Sequence, residues 1–338
     1  MSIECGSQIT LCDLPIHFDT YKGCAHACKY CFVKRKFDIT QIEKSNCIES
    51  LKRFISGKRT AITEWCDWDI PLHWGGVSDP FQPCEKKHRV SLDALKLFAE
   101  TYYPFVVSTK GRLIADDEYL DLIKNSNCVA QISMICPSMD KLELGAPKYD
   151  ERLKIAEKVA KNSKRLIIRI QPYFVELHSE IMKCLKQFAE AGVYGVTVEG
   201  MKFIKRKDGL VKNGSDYVYK IEDLRPRYEE MKRECHKLGL AFFCAENRLR
   251  ALGDDMCCCG VKDLDGFTPN RVNLLHIFNG ETPEYSEAMK KAGTGIAYHA
   301  NLQETISNRA YRTMTFEEAT KYYGSTHKKK LNEQFGLY

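Results

Sequence analysis

The stretch PFVVSTKGRLIADDEYLDLIKNSNCVAQISMI (104–135) reads as one strand–helix–strand unit. PFVVST (104–109) and VAQISMI (129–135) are short apolar runs, and residues 116–125 between them carry the 3.6-residue period of an amphipathic helix. Strands joined by a helix of that length run parallel, because a hairpin turn is too short to hold one. The same alternation continues outward in both directions. Strands are expected at IHFDT (16–20), IPLHWG (70–75), RLIIRIQ (165–171), VYGVTV (193–198) and LAFFCA (240–245). Helices are expected near 40–56, 87–101, 149–162, 179–191 and 224–238. Six or seven βα units with right-handed crossovers predict an α/β fold, a partial (β/α)6–7 TIM-like barrel whose chemistry sits at the C-terminal strand ends. Residues 1–250 are assigned to this barrel and 251–338 to a C-terminal extension. KRKDGLVKNGS (205–215) reads as an exposed polar loop, since Gly and Asn interrupt it.

Of the 338 residues, 44% are hydrophobic and 28% charged, enough to bury a sizeable core. The net charge of +6 permits a phosphate-bearing partner without requiring one. MSIECGSQITLCDLPIHF at the start lacks the basic region and apolar run of a signal peptide, and no apolar stretch is long enough for a bilayer. The chain is therefore expected in the cytoplasm, with no membrane partner. In that setting 16 cysteines point to reduced thiols and metal ligation rather than to disulfides.

The first strand candidate runs directly into YKGCAHACKYCF (21–32), in which Cys24, Cys28 and Cys31 follow a C-x3-C-x2-C spacing. A 4Fe–4S cluster ordinarily takes four cysteines, so three on one loop leave an iron open to an outside ligand. Thiolates are soft donors suited to iron. A structural zinc site is the competing assignment, but it takes four ligands, commonly as two separated pairs, and no second pair flanks this loop.

This motif, with Tyr30 before the third cysteine and Phe32 after it, resembles the signature of the radical S-adenosylmethionine (SAM) superfamily. The resemblance implies a 4Fe–4S cluster whose open iron binds the amino and carboxylate groups of SAM. It also implies reductive cleavage of SAM to a 5'-deoxyadenosyl radical that abstracts hydrogen from a substrate, with reduced flavodoxin or ferredoxin as electron donor. Tyr30 and Phe32 are then cofactor contacts. Gly75 and Gly76 take the place of the glycine-rich edge that approaches the SAM amino group, a role suited to a residue without Cβ.

GGVSDPFQPCE (75–85), VVSTKG (106–111) and ELGAPKYDERL (143–153) resemble the spore photoproduct lyase and DNA-repair-photolyase-like branch, and the radical SAM mobile pair proteins. By that resemblance Ser78 and Ser108 line the cofactor site, Lys110 pairs with the SAM carboxylate and Ser133 meets the ribose. Lesion-splitting lyases carry a hydrogen-donating cysteine just before the Ser-Asp step, where this chain has Gly76-Val77; the nearest thiol is Cys84. Repair of spore photoproduct is therefore not expected. Glu143 and Arg152 read as a structural ion pair, and Arg169 in an apolar strand requires a partner.

A second thiol group, Cys244 with Cys257, Cys258 and Cys259, presents a candidate second iron–sulfur cluster or zinc site, set against the alternative of buried free thiols. Cys12 and the other single cysteines read as incidental. Lys34, Arg35, Lys36, Lys110 and Arg248 are expected as cations at the barrel mouth, with Glu246 and Asn247 beside them. The function expected is a radical SAM enzyme of lyase or oxidoreductase type acting on a nucleic acid or nucleotide. A peptide-modifying enzyme and a non-catalytic metal-binding module that contacts nucleic acid are the alternatives.

Overall fold

The computed structural model of the protein describes residues 3–5, 12–60, 63, 66, 68–213 and 216–270. Its strands are β1 (Glu4–Cys5), β2 (Ile16–Phe18), β3 (Tyr21–Lys22), β4 (Glu43–Lys44), β5 (Leu72–Trp74), β6 (Phe105–Thr109), β7 (Cys128–Ser133), β8 (Arg165–Tyr173), β9 (Gly195–Gly200), β10 (Leu210–Asn213), β11 (Asp216–Tyr219) and β12 (Ala241–Cys244). Its helices are α1 (Cys47–Ile55), α2 (Glu85–His88), α3 (Val90–Thr101), α4 (Asp117–Lys124), α5 (Tyr149–Ala160), α6 (His178–Glu190) and α7 (Ile221–Lys237). The order β2-β5-β6-β7-β8-β9-β12 is parallel throughout, and β1 joins the β2 edge antiparallel. The sheet is open among the described residues, as a partial barrel requires. No described helix is long and apolar enough to cross a membrane.

Strand alternation divides the sheet into two faces. On the outer face Phe18 stacks on Trp74 at 5.4 Å, and Phe98 of α3 stacks on Phe105 at 4.0 Å. Trp74 is wholly buried there, so the helices cover an aromatic seam. The inner face changes character along its length. Val106, Val129, Ile167 and Phe243 form an apolar lower end that Leu14, Val261 and Phe267 close. Above them stand Ser108, Gln131 and Arg169, which are polar. The segment around residues 257–267, at the start of the assigned C-terminal extension, packs against this end of the sheet as its floor. RVNLLHIFNG (271–280) and the Lys328–Lys330 run lie outside the described residues.

One sequence expectation is corrected. Leu210–Asn213 and Asp216–Tyr219 pair antiparallel as β10 and β11, so this stretch is not an open loop; Leu210 pairs with Tyr219 and Asn213 with Asp216. The ladder continues through Val211–Val218 and Lys212–Tyr217, and its Val218 and Tyr219 end is buried.

A buried carboxylate organises the outer face. Glu85, with no exposure, accepts the backbone N–H groups of Ser91 at 3.0 Å and Leu92 at 2.9 Å, which are first-turn donors of α3. It also accepts the hydroxyls of Tyr21 and, at 2.8 Å, Tyr119. Its replacement strands four buried donors. Glu85→Ala is expected to lower unfolding stability in urea by about 3 kcal/mol, and Glu85→Gln by clearly less. A loss below about 1 kcal/mol for the alanine variant would contradict this account of the helix start.

Candidate active site at the cysteine loop

The loop carrying Cys24, Cys28 and Cys31 leaves the sheet after β2 and is fastened along its whole length. Cys24 N donates to Ile39 O at 2.8 Å, Ala25 N to Gln82 Oε1 at 2.8 Å and Lys29 N to Leu142 O at 2.8 Å. Gly23 O accepts the Ser78 hydroxyl and, at 3.2 Å, Gln82 Nε2. Gly145 N donates to His26 O at 2.9 Å, and the backbones approach so closely that a Cβ on Gly145 would meet Ala25 O at 2.1 Å. Ala27 has φ +50, a conformation held by these surrounding bonds rather than by local preference.

His26, between the first two cysteines, is 3% exposed and is held from both sides. Its Nδ1 lies 3.1 Å from Gly145 O and its Nε2 lies 3.1 Å from Asp79 Oδ2. Asp79 also accepts Phe81 N at 2.9 Å, the Thr109 hydroxyl at 2.7 Å and Lys110 N at 2.6 Å. Burial alone would raise the Asp79 carboxyl; His26 and these donors overcome that and hold it at about 2. One carboxylate thereby joins the cysteine loop, the β5 exit and the β6 exit. Asp19 shows the opposite balance, for burial pushes it up to about 7 despite N–H donors from Ser78 and Val77.

The thiols themselves are partly or fully buried. Burial is the leading cause that pushes Cys24 up to about 12, and it also raises Cys28, where Lys110 works against it. Protonated thiols must give up protons to bind metal, so loading is coupled to proton release. Tetrahedral zinc bonds of ~2.3 Å put sulfurs ~3.8 Å apart. Among the described residues, the one group of three His, Cys, Asp or Glu ligand atoms lying within 4.8 Å of one another is Asp13, Asp255 and Cys257. The triad stands wider than a single ion's ligand set.

Beside the loop, Tyr30 donates its hydroxyl to Glu143, which pairs with Arg152. Arg152 is wholly buried and donates to Ser133 O at 2.7 Å. Lys110 Nζ lies 3.9 Å from Glu143 and 5.8 Å from the centre of the Tyr30 ring. The Glu143–Arg152 ion pair is thus the support beneath Tyr30 and Lys110. Gly75 has φ +86, and a Cβ there would meet Ser108 O at 2.3 Å; around Gly76, by contrast, the space is open.

Arg169 finds its partners on the inner wall. Its Nη1 donates to Gln131 Oε1 at 2.9 Å and Ser108 Oγ at 3.0 Å, and its Nη2 to Gln171. Gln171 donates to Glu199, which pairs with Lys202 at 2.5 Å. His73 hydrogen-bonds Ser108 at 3.0 Å; burial first, and Arg169 second, lower it to about 3, so the ring is neutral.

The structure gathers Cys24, Cys28, Cys31, Tyr30, Ser78 and Lys110 around one loop, while Ser108 belongs to the wall behind it. Phe32 is half exposed and lies near Lys36. Cys84 packs at the start of α2, its thiol pushed up to about 11 by burial and by Glu85. Arg248 is a correction: it is buried, donating to Glu246 at 2.8 Å and to Tyr219 O at 2.9 Å, rather than a mouth cation. Arg35 is likewise committed, to Asp216, leaving Lys34 and Lys36 exposed. Sequence reasoning missed His26, Gln82 and the wall of His73, Gln131, Gln171 and Glu199. Only His26 carried a signal, its place between two ligands.

No protein-family model matches the chain. An uncharacterized protein of Mycobacterium tuberculosis is 24% identical over 247 residues, covering 63% of this chain and 70% of that one. A solved mutant of spore photoproduct lyase with dinucleoside spore photoproduct superposes with a TM-score of 0.55 at 19% identity, over 69% of this chain and 77% of the other. A second mutant, with AdoMet and the dinucleoside lesion bound, gives 0.55 and 19% over 68% and 76%. The likeness is one of fold: the chain shares the fold of spore photoproduct lyase over the matched residues.

The tight contact at Gly145 gives a direct check on the loop. In metal-free protein, Gly145→Ala is expected to speed alkylation of Cys24, Cys28 and Cys31 several-fold, read by mass spectrometry, with helix content unchanged. Gly76→Ala, which meets open space, should leave those rates as they are. Equal rates in the two variants would contradict the clamped loop.

Proposed function

We propose that this chain, with the fold of spore photoproduct lyase, is a radical SAM enzyme whose Cys24, Cys28 and Cys31 hold a 4Fe–4S cluster. The observation that carries this reading is the triad itself: three thiols on a clamped loop, set wider than one ion's ligands, beside an open glycine edge. When bound, the cluster and SAM supply reductive cleavage of the sulfonium and a 5'-deoxyadenosyl radical. The protein's own residues bind and orient.

Gly76 leaves room for the SAM amino group, and the Gly75 turn fixes that edge against β6. Lys110, held over Tyr30 and only loosely paired with Glu143, takes the SAM carboxylate in a charge-assisted contact. Ser133, at the end of β7, meets the ribose, and Tyr30 and Phe32 flank the cluster. Ser78 and Ser108 act by position, since the Ser78 hydroxyl is committed to Gly23 O and that of Ser108 to the Arg169 wall. The electron donor is reduced flavodoxin or ferredoxin in a reducing cytoplasm.

For substrate we favour a nucleic acid or nucleotide. Arg169, Lys110 and Lys202 lie along the inner wall and loop, with Lys34 and Lys36 exposed nearby in sequence, a distribution suited to phosphates. The reaction type follows the hydrogen-abstraction chemistry of lyases or oxidoreductases. Cys84, protonated at neutral pH, is the candidate hydrogen donor to a product radical.

Three variants test the assignment. Replacing the three triad cysteines by Ala should remove about four irons and abolish SAM cleavage with dithionite. Lys110→Ala should keep the iron but weaken SAM binding by about 1.5–3 kcal/mol. Gly76→Ala should do the same by occupying the cofactor's space. SAM cleavage by the triad variant would sink the enzyme reading, and unchanged affinity in both other variants would remove the assigned SAM contacts. For substrate, single-stranded DNA should accelerate SAM consumption where an acidic peptide of equal charge does not. Acceleration by the peptide alone would overturn the nucleic-acid assignment.

A further inference from the structure

The segments that precede β5, β6, β7 and β8 meet at the N-terminal ends of these parallel strands, the end of the sheet opposite the cysteine loop. They border a cleft of about 790 Å³, a size that falls among small-ligand sites of roughly 300–1,000 Å³. Its lining includes Lys52, Asp69, Tyr102, Asn127, Lys164 and Asp265. In α/β barrels the reaction belongs to the other end, so a ligand here is bound rather than converted.

Asn127 is 2% exposed, and its backbone is fixed to β6 because its carbonyl accepts Phe105 N at 3.1 Å. Its Nδ2 faces the 265–266 turn: it donates to Asp265 O at 3.4 Å, and a Cβ on Gly266 would come within 2.5 Å of it. With the nitrogen edge packed in this way the oxygen edge is left over, and Oδ1 has no hydrogen-bond partner among the described residues. A buried acceptor without a donor is destabilising, and a ligand N–H in the cleft removes that cost. The charged lining is two lysines, Lys52 and Lys164, against two aspartates, Asp69 and Asp265. That balance suits a molecule carrying an anion together with several hydrogen-bond donors better than it suits a bare anion or a bare cation. Tyr102 adds a half-exposed ring, with Lys164 Nζ 5.4 Å from its centre.

We propose that this cleft binds a nucleotide whose base carries an exocyclic amine, that is, adenine or cytosine. The amine donates to Asn127 Oδ1 and the base stacks on Tyr102. Lys52 and Lys164 take the phosphate, and the two aspartates accept the ribose hydroxyls. Uracil presents a carbonyl where cytosine has its amine, so it sets an acceptor against the buried acceptor of Asn127 and is rejected. A free nucleotide and a nucleotide within a single strand share this chemistry. The inference stands apart from the radical SAM reading, because the cleft shares no residue with the cysteine loop or the Arg169 wall.

The test is calorimetric titration of the full chain with CMP, AMP, UMP and inorganic phosphate. CMP and AMP are expected to bind, and UMP at least about tenfold more weakly. Asn127→Leu should weaken CMP about tenfold and erase the preference over UMP. Tyr102→Gly, which suits the φ of +55 at that position and so keeps the backbone, should weaken CMP, AMP and UMP alike. Should Asn127→Leu fail to fold, the contrast between CMP and UMP on the unmodified chain and the Tyr102→Gly result still decide. Equal affinity for CMP and UMP, phosphate bound as tightly as CMP, CMP affinity unchanged in both variants, or no binding of CMP and AMP tighter than about 1 mM would overturn the proposal. A cytidylate oligonucleotide that displaces CMP supports the site with a strand as the source, and one that leaves CMP bound supports it with the free nucleotide. Nucleotide binding by a chain that does not cleave SAM leaves this site standing and counts only against the enzyme reading.

Discussion

The Asp79 carboxylate is the constraint on which the rest of the site depends. It is buried, it is ionised, and it faces donors from three stretches of chain: His26 in the cysteine loop, Phe81 after β5, and Thr109 with Lys110 after β6. A charge in that setting is tolerated only because every approach is occupied by a donor or an opposite charge. Removing any one partner therefore loosens two others. That interdependence explains how a loop with a residue at positive φ and thiols that are partly or fully buried is held in place.

The parallel sheet prepares this arrangement through its alternation. Outward-facing aromatic and aliphatic residues pack under the helices, and inward-facing residues grade from apolar at the floor to charged at the wall. The strand exits then deliver Gly75, Lys110 and Ser133 to one end. Arg169 can lie inside because Ser108, Gln131 and Gln171 accept its protons, and Glu199 with Lys202 extends the same chain of contacts.

Much of the fold was legible in the sequence because hydrophobic period reports burial directly. The expected helices at 116–125 and 149–162 match Asp117–Lys124 and Tyr149–Ala160, and every predicted strand of the sheet is present. The β10–β11 hairpin was missed because its two four-residue strands are too short to show a period beside the charged and glycine residues at 205–209. The cysteine loop was legible because its ligands are adjacent in sequence. Asp79's grip on His26 and Glu85's cap on α3 were not, for each joins residues that only the tertiary fold brings together. Arg248 was misplaced for a related reason: position after a strand does not reveal that Glu246 and Tyr219 O turn a cation inward.

The central claim is that this clamped triad holds a cluster with one iron open to SAM. Electron paramagnetic resonance on the anaerobically reconstituted, dithionite-reduced chain tests it most directly. The account predicts a signal from a reduced 4Fe–4S cluster whose g values shift when SAM is added. A cluster signal identical with and without SAM, or no cluster signal after full reconstitution, would contradict it.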